Sequence, residues 1–134
     1  MEQTANRRLP APVSTPETEP FWAAAAQGTL LIKRCGSCGD AHYHPRALCP
    51  FCFSDDTRWE EATGRAEIYS VSVMRRGPSA PYALAYVTLD EGPSVLTNII
   101  DCDFDALAIG QAVVLRFAAT DGGPPVPMFT PIGD

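Results

Sequence analysis

Four of the chain's five cysteines stand in two pairs of one spacing: Cys35-Gly36-Ser37-Cys38 and, after ten intervening residues, Cys49-Pro50-Phe51-Cys52. Each pair has the form of a zinc knuckle, a tight turn whose backbone amides point at the thiolates. Together they predict a tetrahedral four-sulfur shell of Cys35, Cys38, Cys49 and Cys52 around one structural zinc ion. Four thiolates leave no open position for an activated water, which argues against a hydrolytic role for the metal. Iron in a rubredoxin-like shell is the competing expectation. A redox dithiol needs only one such pair on a thioredoxin-like βαβ pattern, and no such pattern is present. A hairpin this short buries little apolar area, so metal binding, on the order of 10 kcal/mol in comparable peptides, must supply most of its folding free energy.

Other residues with possible chemistry are weaker candidates. His42 and His44 lie between the knuckles, but with four cysteines present both are expected on the surface of the ribbon loop. Cys102 has no base beside it in sequence and is expected to be a small, partly buried residue. Arg75 and Arg76, just before Gly77-Pro78, are candidate contacts to a phosphate at a strand-end loop, against the plainer expectation of a solvated turn. Phe21 and Trp22 are two large aromatics on a segment too short to have a core of its own. They must bury against the rest of the chain or mark a docking surface, and docking is the expectation adopted here.

These residues sit in a chain of 134, enough for one ordinary domain or for a metal-stapled module joined to a compact β domain. The 46% hydrophobic content is that of a globular protein, and no stretch approaches the roughly 20 apolar residues of a membrane span. Met1 to Pro12 has no apolar run of the kind a secretory signal carries, so a cytoplasmic location is expected. Reduced thiols there favour metal binding over disulfides. The formal charge is −6; four thiolates subtract four and one dication adds two, which takes it to −8. The ten Lys and Arg residues are spread along the chain, so nucleic acid is an improbable partner on charge grounds.

The positioning elements follow from the local pattern. Residues 1–15 read as a flexible tail. A helix is expected over 16–28: Ser14 and Glu17 stand at capping-box spacing, Pro16 and Pro20 suit a first turn, Phe21 to Gln27 is strongly helical, and Gly28 ends it. Thr29 to Arg34 reads as a strand entering the first knuckle, and Arg46 to Cys49 leads into the second, so residues 29–60 form the ribbon. Beyond it, residues 61–134 are β throughout, with strands over Ala66 to Arg75, Tyr82 to Leu89, Val95 to Ile100 and Val113 to Phe117 and a helical turn over Asp103 to Leu107. The first of these alternates Glu67, Tyr69, Val71 and Val73 against Ala66, Ile68, Ser70 and Ser72, which suggests one buried face. Four or five short strands with one turn fit a small closed barrel, and Pro124-Pro125-Val126-Pro127 is expected to be an edge strand or tail.

Phe21-Trp22 before Gly28, the cysteine pairs with Pro45-Arg46 ahead of Cys49, Gly64-Arg65, Pro81-Tyr82-Ala83, Leu89-Asp90-Glu91-Gly92-Pro93 and Ile109-Gly110 occur in an order that resembles the zinc-ribbon OB-fold proteins of the DUF35 family. The resemblance covers about Pro20 to Pro131. It implies a mostly β protein with an N-terminal helix, a rubredoxin-like zinc ribbon and a five-stranded OB-fold barrel. It also implies a non-catalytic accessory subunit of a thiolase-like or other acyl-CoA enzyme, part of an acyltransferase complex, with the barrel associated with acyl-CoA binding. Two other functions compete: an OB-fold binder of single-stranded nucleic acid, for which Tyr69, Tyr82, Tyr86 and Phe117 are the stacking candidates, and a rubredoxin-like electron carrier, which leaves the barrel unexplained.

Overall fold

The computed structural model describes residues 9–75 and 80–132. Residues 9–11 lie against the barrel, since Asp121 N–H donates to Leu9 O at 2.9 Å and Pro10 pairs with Asp121. The first helix, α1, spans Glu19–Ala26, later than the Ser14–Glu17 spacing predicted. Thr15 and Thr18 build a turn ahead of it, with Glu19 N–H donating to Thr15 O at 2.8 Å, so the helix opens with Pro20 in its first turn. Gly28, at φ +83, reverses the chain and lets Thr29 N–H reach back to Ala24 O at 3.0 Å.

The ribbon is a three-stranded antiparallel sheet of β1 (Leu31–Cys35), β2 (Ala41–His42) and β3 (Thr57–Glu61), with β1 in the centre. No strand forms over Arg46 to Cys49; the second knuckle is entered through bends, and β1 pairs with β2 on one side and β3 on the other. Ala62 N–H donates to Leu30 O at 2.9 Å, and the chain passes directly into the barrel.

The barrel consists of β4 (Arg65–Met74), β5 (Tyr82–Leu89), β6 (Ser94–Ile99), β7 (Ala112–Ala118) and β8 (Val126–Pro131), closed in the order β4-β5-β6-β8-β7. A single 3-10 turn over Phe104–Ala106 stands between β6 and β7, where the helical turn was expected. Along β4 the buried side chains are Ala66 and Ile68, then partly Val71 and Val73. A single phase therefore does not hold along the strand: Tyr69 points outward as alternation expects, and a bulge between Ile68 and Ser70 then exchanges the two faces, so that Val71 and Val73 turn inward.

The proline-rich end is neither edge nor tail. β8 pairs with β7 over six residue pairs and closes the barrel, touching β6 through one parallel pair, Ile99 with Phe129. Phe129 O accepts from Ile100 N–H at 2.9 Å and Pro127 O accepts from the Thr97 hydroxyl at 3.3 Å. Residues 127, 129 and 131 thus turn their backbone groups toward β6, where the ladder is sparse, and the prolines give up amides that this side does not need.

One core serves helix, ribbon and barrel. Phe21, Leu30 and Ile32 join Ile68, Val87, Leu89, Ile99, Phe104, Val113 and Phe129 in a single buried cluster. Phe21 is 4% exposed and meets Trp22 and Tyr43 edge to face, at ring separations of 4.8 and 5.8 Å. Its burial corrects the expectation that it forms part of a docking surface; only half-buried Trp22 retains an exposed part. Truncating Phe21 opens a cavity where helix, ribbon and barrel meet. Phe21→Ala is therefore expected to lower the unfolding free energy of the zinc-loaded chain by about 3 kcal/mol or more, as measured by urea titration.

Candidate metal centre

The two knuckles are built alike. In the first, Cys35 N–H donates to Asp40 O at 2.9 Å and Gly39 N–H to Cys35 O at 3.0 Å; in the second, Cys49 N–H donates to Ser54 O and Phe53 N–H to Cys49 O, both at 2.9 Å. Each turn aims amides at its first sulfur: Ser37 and Cys38 N–H approach Cys35 Sγ at 3.3 and 3.4 Å, and Phe51 N–H approaches Cys49 Sγ at 3.4 Å. The Ser37 and Ser54 hydroxyls bridge the two turns at 2.7 Å. A Cβ at Gly36 would displace the carboxylate of Asp56, a half-exposed side chain with room to move. Arg34 braces the first knuckle from the sheet, with Nη1 on Gly39 O at 2.8 Å and a two-pronged pair to Glu60 at 2.8 and 3.1 Å. That pair holds the Glu60 carboxyl below the usual range and the Arg34 guanidinium above its own.

The four sulfurs converge as the spacing predicts. All lie within 4.8 Å of one another, with Cys35 to Cys52 at 3.6 Å and Cys38 to Cys49 at 3.7 Å. A tetrahedral zinc with bonds of about 2.3 Å places its sulfurs about 3.8 Å apart, so the set fits one structural zinc ion. Cys35 and Cys49 are buried, while Cys38 and Cys52 face outward. The Cys38 and Ser37 amides pull the Cys35 thiol down to about 6 against the cost of burial. Cys38 goes the other way, to about 12: the Asp40 amide favours its thiolate, but burial and the neighbouring sulfurs outweigh it. Without a cation four adjacent thiolates repel one another, and the metal is what lets all four ionise.

Several nearby residues stand differently from what the sequence predicts. His42 is buried, not on the surface: it pairs with Lys33 across β1 and β2, and among the described residues neither ring nitrogen has a hydrogen-bond partner. Burial, then the charges of Lys33, Arg46 and His44, keeps its pKa below the ordinary histidine value, although the Arg46 backbone opposes them. His44 is exposed and Cys102 half-buried, as expected. The second knuckle carries a group of exposed apolar side chains, Leu48, Phe51 and Phe53, that the spacing argument passed over. Phe53 occupies the position that Gly39 holds in the first knuckle, and both are left-handed, at φ +65 and +83. A residue with a Cβ in that conformation costs about 1–2 kcal/mol relative to glycine. Arg75, just beyond the end of β4, has its Nη2 on Asp105 Oδ1 at 2.7 Å, and Arg76 lies outside the described residues. Tyr69 and Tyr86 are exposed on the barrel wall, while Tyr82 and Phe117 are half-buried.

A four-cysteine ribbon leading into a closed five-stranded barrel defines the class: zinc-ribbon OB-fold proteins. Residues 22–58 match the family "ChsH2, rubredoxin-like zinc ribbon domain" and residues 59–118 match "ChsH2, C-terminal OB-fold domain". The chain is 34% identical over 102 residues to a "DUF35 domain-containing scaffold protein" of Methanocaldococcus jannaschii, covering 69% of this chain and 72% of that protein. It is 33% identical over 134 residues to a "Probable enoyl-CoA hydratase alpha subunit" of Thermomonospora curvata; this covers 97% of the chain but 42% of the longer relative. In structure it is similar to a chain of the "Ltp2-ChsH2(DUF35) aldolase", with a TM-score of 0.81 and 32% identity over 91% of this chain and 99% of that one. The chain belongs to the DUF35 family.

Elemental analysis of the purified chain is expected to give one zinc per chain, and Cys35→Ser or Cys52→Ser to lose both metal and ribbon structure. Binding requires thiolates, so protons compete with zinc. Loading should fall as the pH is lowered and rise again on return, as followed by chelator competition. Iron in stoichiometric amount, or a cysteine variant that keeps metal and fold, contradicts the structural-zinc assignment.

Proposed function

We propose that the chain is a non-catalytic accessory subunit that docks onto a thiolase-like or other acyl-CoA enzyme and helps hold an acyl-CoA. The observation that carries this is the closed four-thiolate site: it commits the metal to structure and leaves surfaces, not the metal, to provide function. The names of the relatives support the direction, one described as a scaffold and another as a subunit acting on an enoyl-CoA, and the similar solved structure is an aldolase assembly. A cytoplasmic location suits a site that needs reduced thiols, and no helix among the described residues is long and apolar enough to cross a membrane.

Arg75 and Arg76 are the candidate contacts to the CoA phosphates. The Arg75–Asp105 pair is exposed on both sides, and such pairs contribute little, so a phosphate bound by charge-assisted hydrogen bonds can displace the carboxylate at small cost. Single-stranded nucleic acid is the alternative that the exposed Tyr69 and Tyr86 favour, as both could stack bases. The groove beside Tyr86 opposes it: its lining among the described residues, Ser70, Val71, Ser72, Leu84, Ala85 and Leu96, offers no cation to hold a phosphate backbone.

Two measurements test the proposal. Calorimetry with an acyl-CoA on the chain, on its complex with the enzyme, and on the complex carrying Arg75→Ala and Arg76→Ala is expected to show affinity falling about tenfold in the double variant, one lost charge-assisted contact being sufficient for that. Unchanged affinity removes both arginines from the site, and full enzyme activity without the chain removes the accessory role. Trp22→Ala should weaken binding to the enzyme more than it lowers the melting temperature; the reverse assigns Trp22 to the core.

A further inference from the structure

The sulfur shell is not evenly covered. Cys35 and Cys49, the first cysteine of each turn, are buried, while Cys38 and Cys52, the second of each, are exposed. Each exposed cysteine has a buried one of the opposite turn as a near neighbour: Cys52 Sγ lies 3.6 Å from Cys35 Sγ, and Cys38 Sγ lies 3.7 Å from Cys49 Sγ. The turns themselves are held face to face without the metal, by the Ser37 and Ser54 hydroxyls at 2.7 Å and by Gly36 N–H on Asp56 O at 2.7 Å. An exposed sulfur thus keeps a sheltered one within reach across the hairpin.

Zinc holds all four sulfurs as thiolates, the form that oxidants attack, and has no redox chemistry of its own. Oxidation therefore falls on sulfur, and it begins where a hydroperoxide can reach. The Cys52 thiolate attacks the peroxide: the O–O bond breaks, an S–O bond forms, the sulfur gives up two electrons, and the other oxygen leaves as hydroxide or alkoxide. The Cys35 thiolate then displaces hydroxide from the Cys52 sulfenic acid and forms an S–S bond. Cys38 and Cys49 repeat both steps. Two hydroperoxides convert four thiolates into two disulfides, and no thiolate remains to hold the cation.

The pairing decides what becomes of the ribbon. Bonds 35–52 and 38–49 are nested, and both join the turn after β1 to the turn before β3, which is the tie that zinc makes. Bonds within a turn, 35–38 and 49–52, leave the two turns untied. We propose that Cys38 and Cys52 are the entry points of a thiol-oxidation site, at which a hydroperoxide converts the zinc shell into cross-turn disulfides, expels the metal and leaves the hairpin closed. Reduction by a dithiol returns the four thiols and the capacity to bind zinc.

The test uses the full zinc-loaded chain, together with Cys102→Ser to keep the fifth thiol out of the disulfide mapping. Hydrogen peroxide is added stepwise beside a chromogenic chelator too weak to strip the reduced chain, and one zinc should appear for about two peroxides consumed. Trypsin cuts after Arg34, Arg46 and Arg58, which puts Cys35 and Cys38 on one peptide and Cys49 and Cys52 on another. Peptides 35–46 and 47–58 should emerge joined, with fragmentation reading 35–52 and 38–49. At low peroxide a sulfenic-acid trap should label Cys38 and Cys52 ahead of Cys35 and Cys49. In the oxidised, zinc-free chain the amides of Ile32 to Arg34 should stay protected from exchange, and a dithiol with added zinc should restore one zinc per chain. The site is overturned by zinc that stays bound under excess peroxide, by peptides that emerge separate or paired 35–49 and 38–52, or by release accompanied by sulfinic and sulfonic acids in place of disulfides. First labelling of the buried cysteines, loss of the β1 protection, or failure of the dithiol to restore binding overturns it equally. None of these outcomes depends on the accessory-subunit reading.

Discussion

Four sulfurs within 4.8 Å of one another cannot all be anionic unless a cation lies among them, and the N-terminal half of this chain is arranged around that requirement. The ribbon sheet has only short strands, and β2 is two residues long, so hydrogen bonding and burial alone cannot hold the hairpin shut. The metal ties the turn after β1 to the turn before β3. With those turns pinned, β1 is held as the central strand, and Ile32, with Leu30 just before it, is presented to the barrel. Phe21 completes that contact from α1, and Glu17, two residues ahead of the helix, bonds to the backbone between Arg46 and Leu48. The metal therefore stabilises the interdomain core indirectly, by fixing the strand that carries part of it.

The barrel is self-sufficient in its ladders but not in its core. Closure comes from β8, whose prolines occupy the side with few ladder bonds, and from the β4 bulge, which bends that strand so that both of its halves bury side chains. Because the ribbon contributes Leu30 and Ile32 to the same cluster as Phe129 and Val113, the two modules share one apolar interior and not two smaller ones. A shared core limits relative movement of ribbon and barrel, so a group held by the knuckles and a group held by the barrel loops keep a fixed separation.

What could be read from the residues follows how local each determinant is. The ligand set was legible because knuckle chemistry is written in four positions, and β5 was placed residue for residue by an apolar and aromatic run broken only at Thr88. The β4 bulge was also written locally, in apolar residues at 66, 68, 71 and 73, but a strict period of two hides a phase change. Closure by β8 was not legible, because proline excludes a central strand only if both of its sides are fully paired, and pairing density is a property of the assembled barrel. His42 is similar: nothing in its own neighbourhood marks it as buried, and its place is decided by register against Lys33. The exposed knuckle aromatics were overlooked for the opposite reason. The cysteine spacing says nothing of the residues between and after them, although a phenylalanine at 53, where the first knuckle has Gly39 with a similar left-handed φ, distinguishes the two turns.

Charge sets a further constraint on what an accessory chain of this kind can contribute. With a formal charge of −6, moved to −8 by four thiolates and zinc, it repels a CoA ester at distances beyond a few ångströms, and it cannot steer one in from solution. At physiological ionic strength that repulsion fades over about 8 Å, so a local cation can still hold a phosphate once the ligand has been delivered. On the proposed acyl-CoA function, capture and affinity come mainly from the enzyme, and the chain's part is to fix geometry after docking. That division matches its construction: exposed ion pairs that exchange at little cost, such as Arg75 with Asp105, at the barrel end, and a metal-stiffened apolar projection on the ribbon, joined by one continuous core.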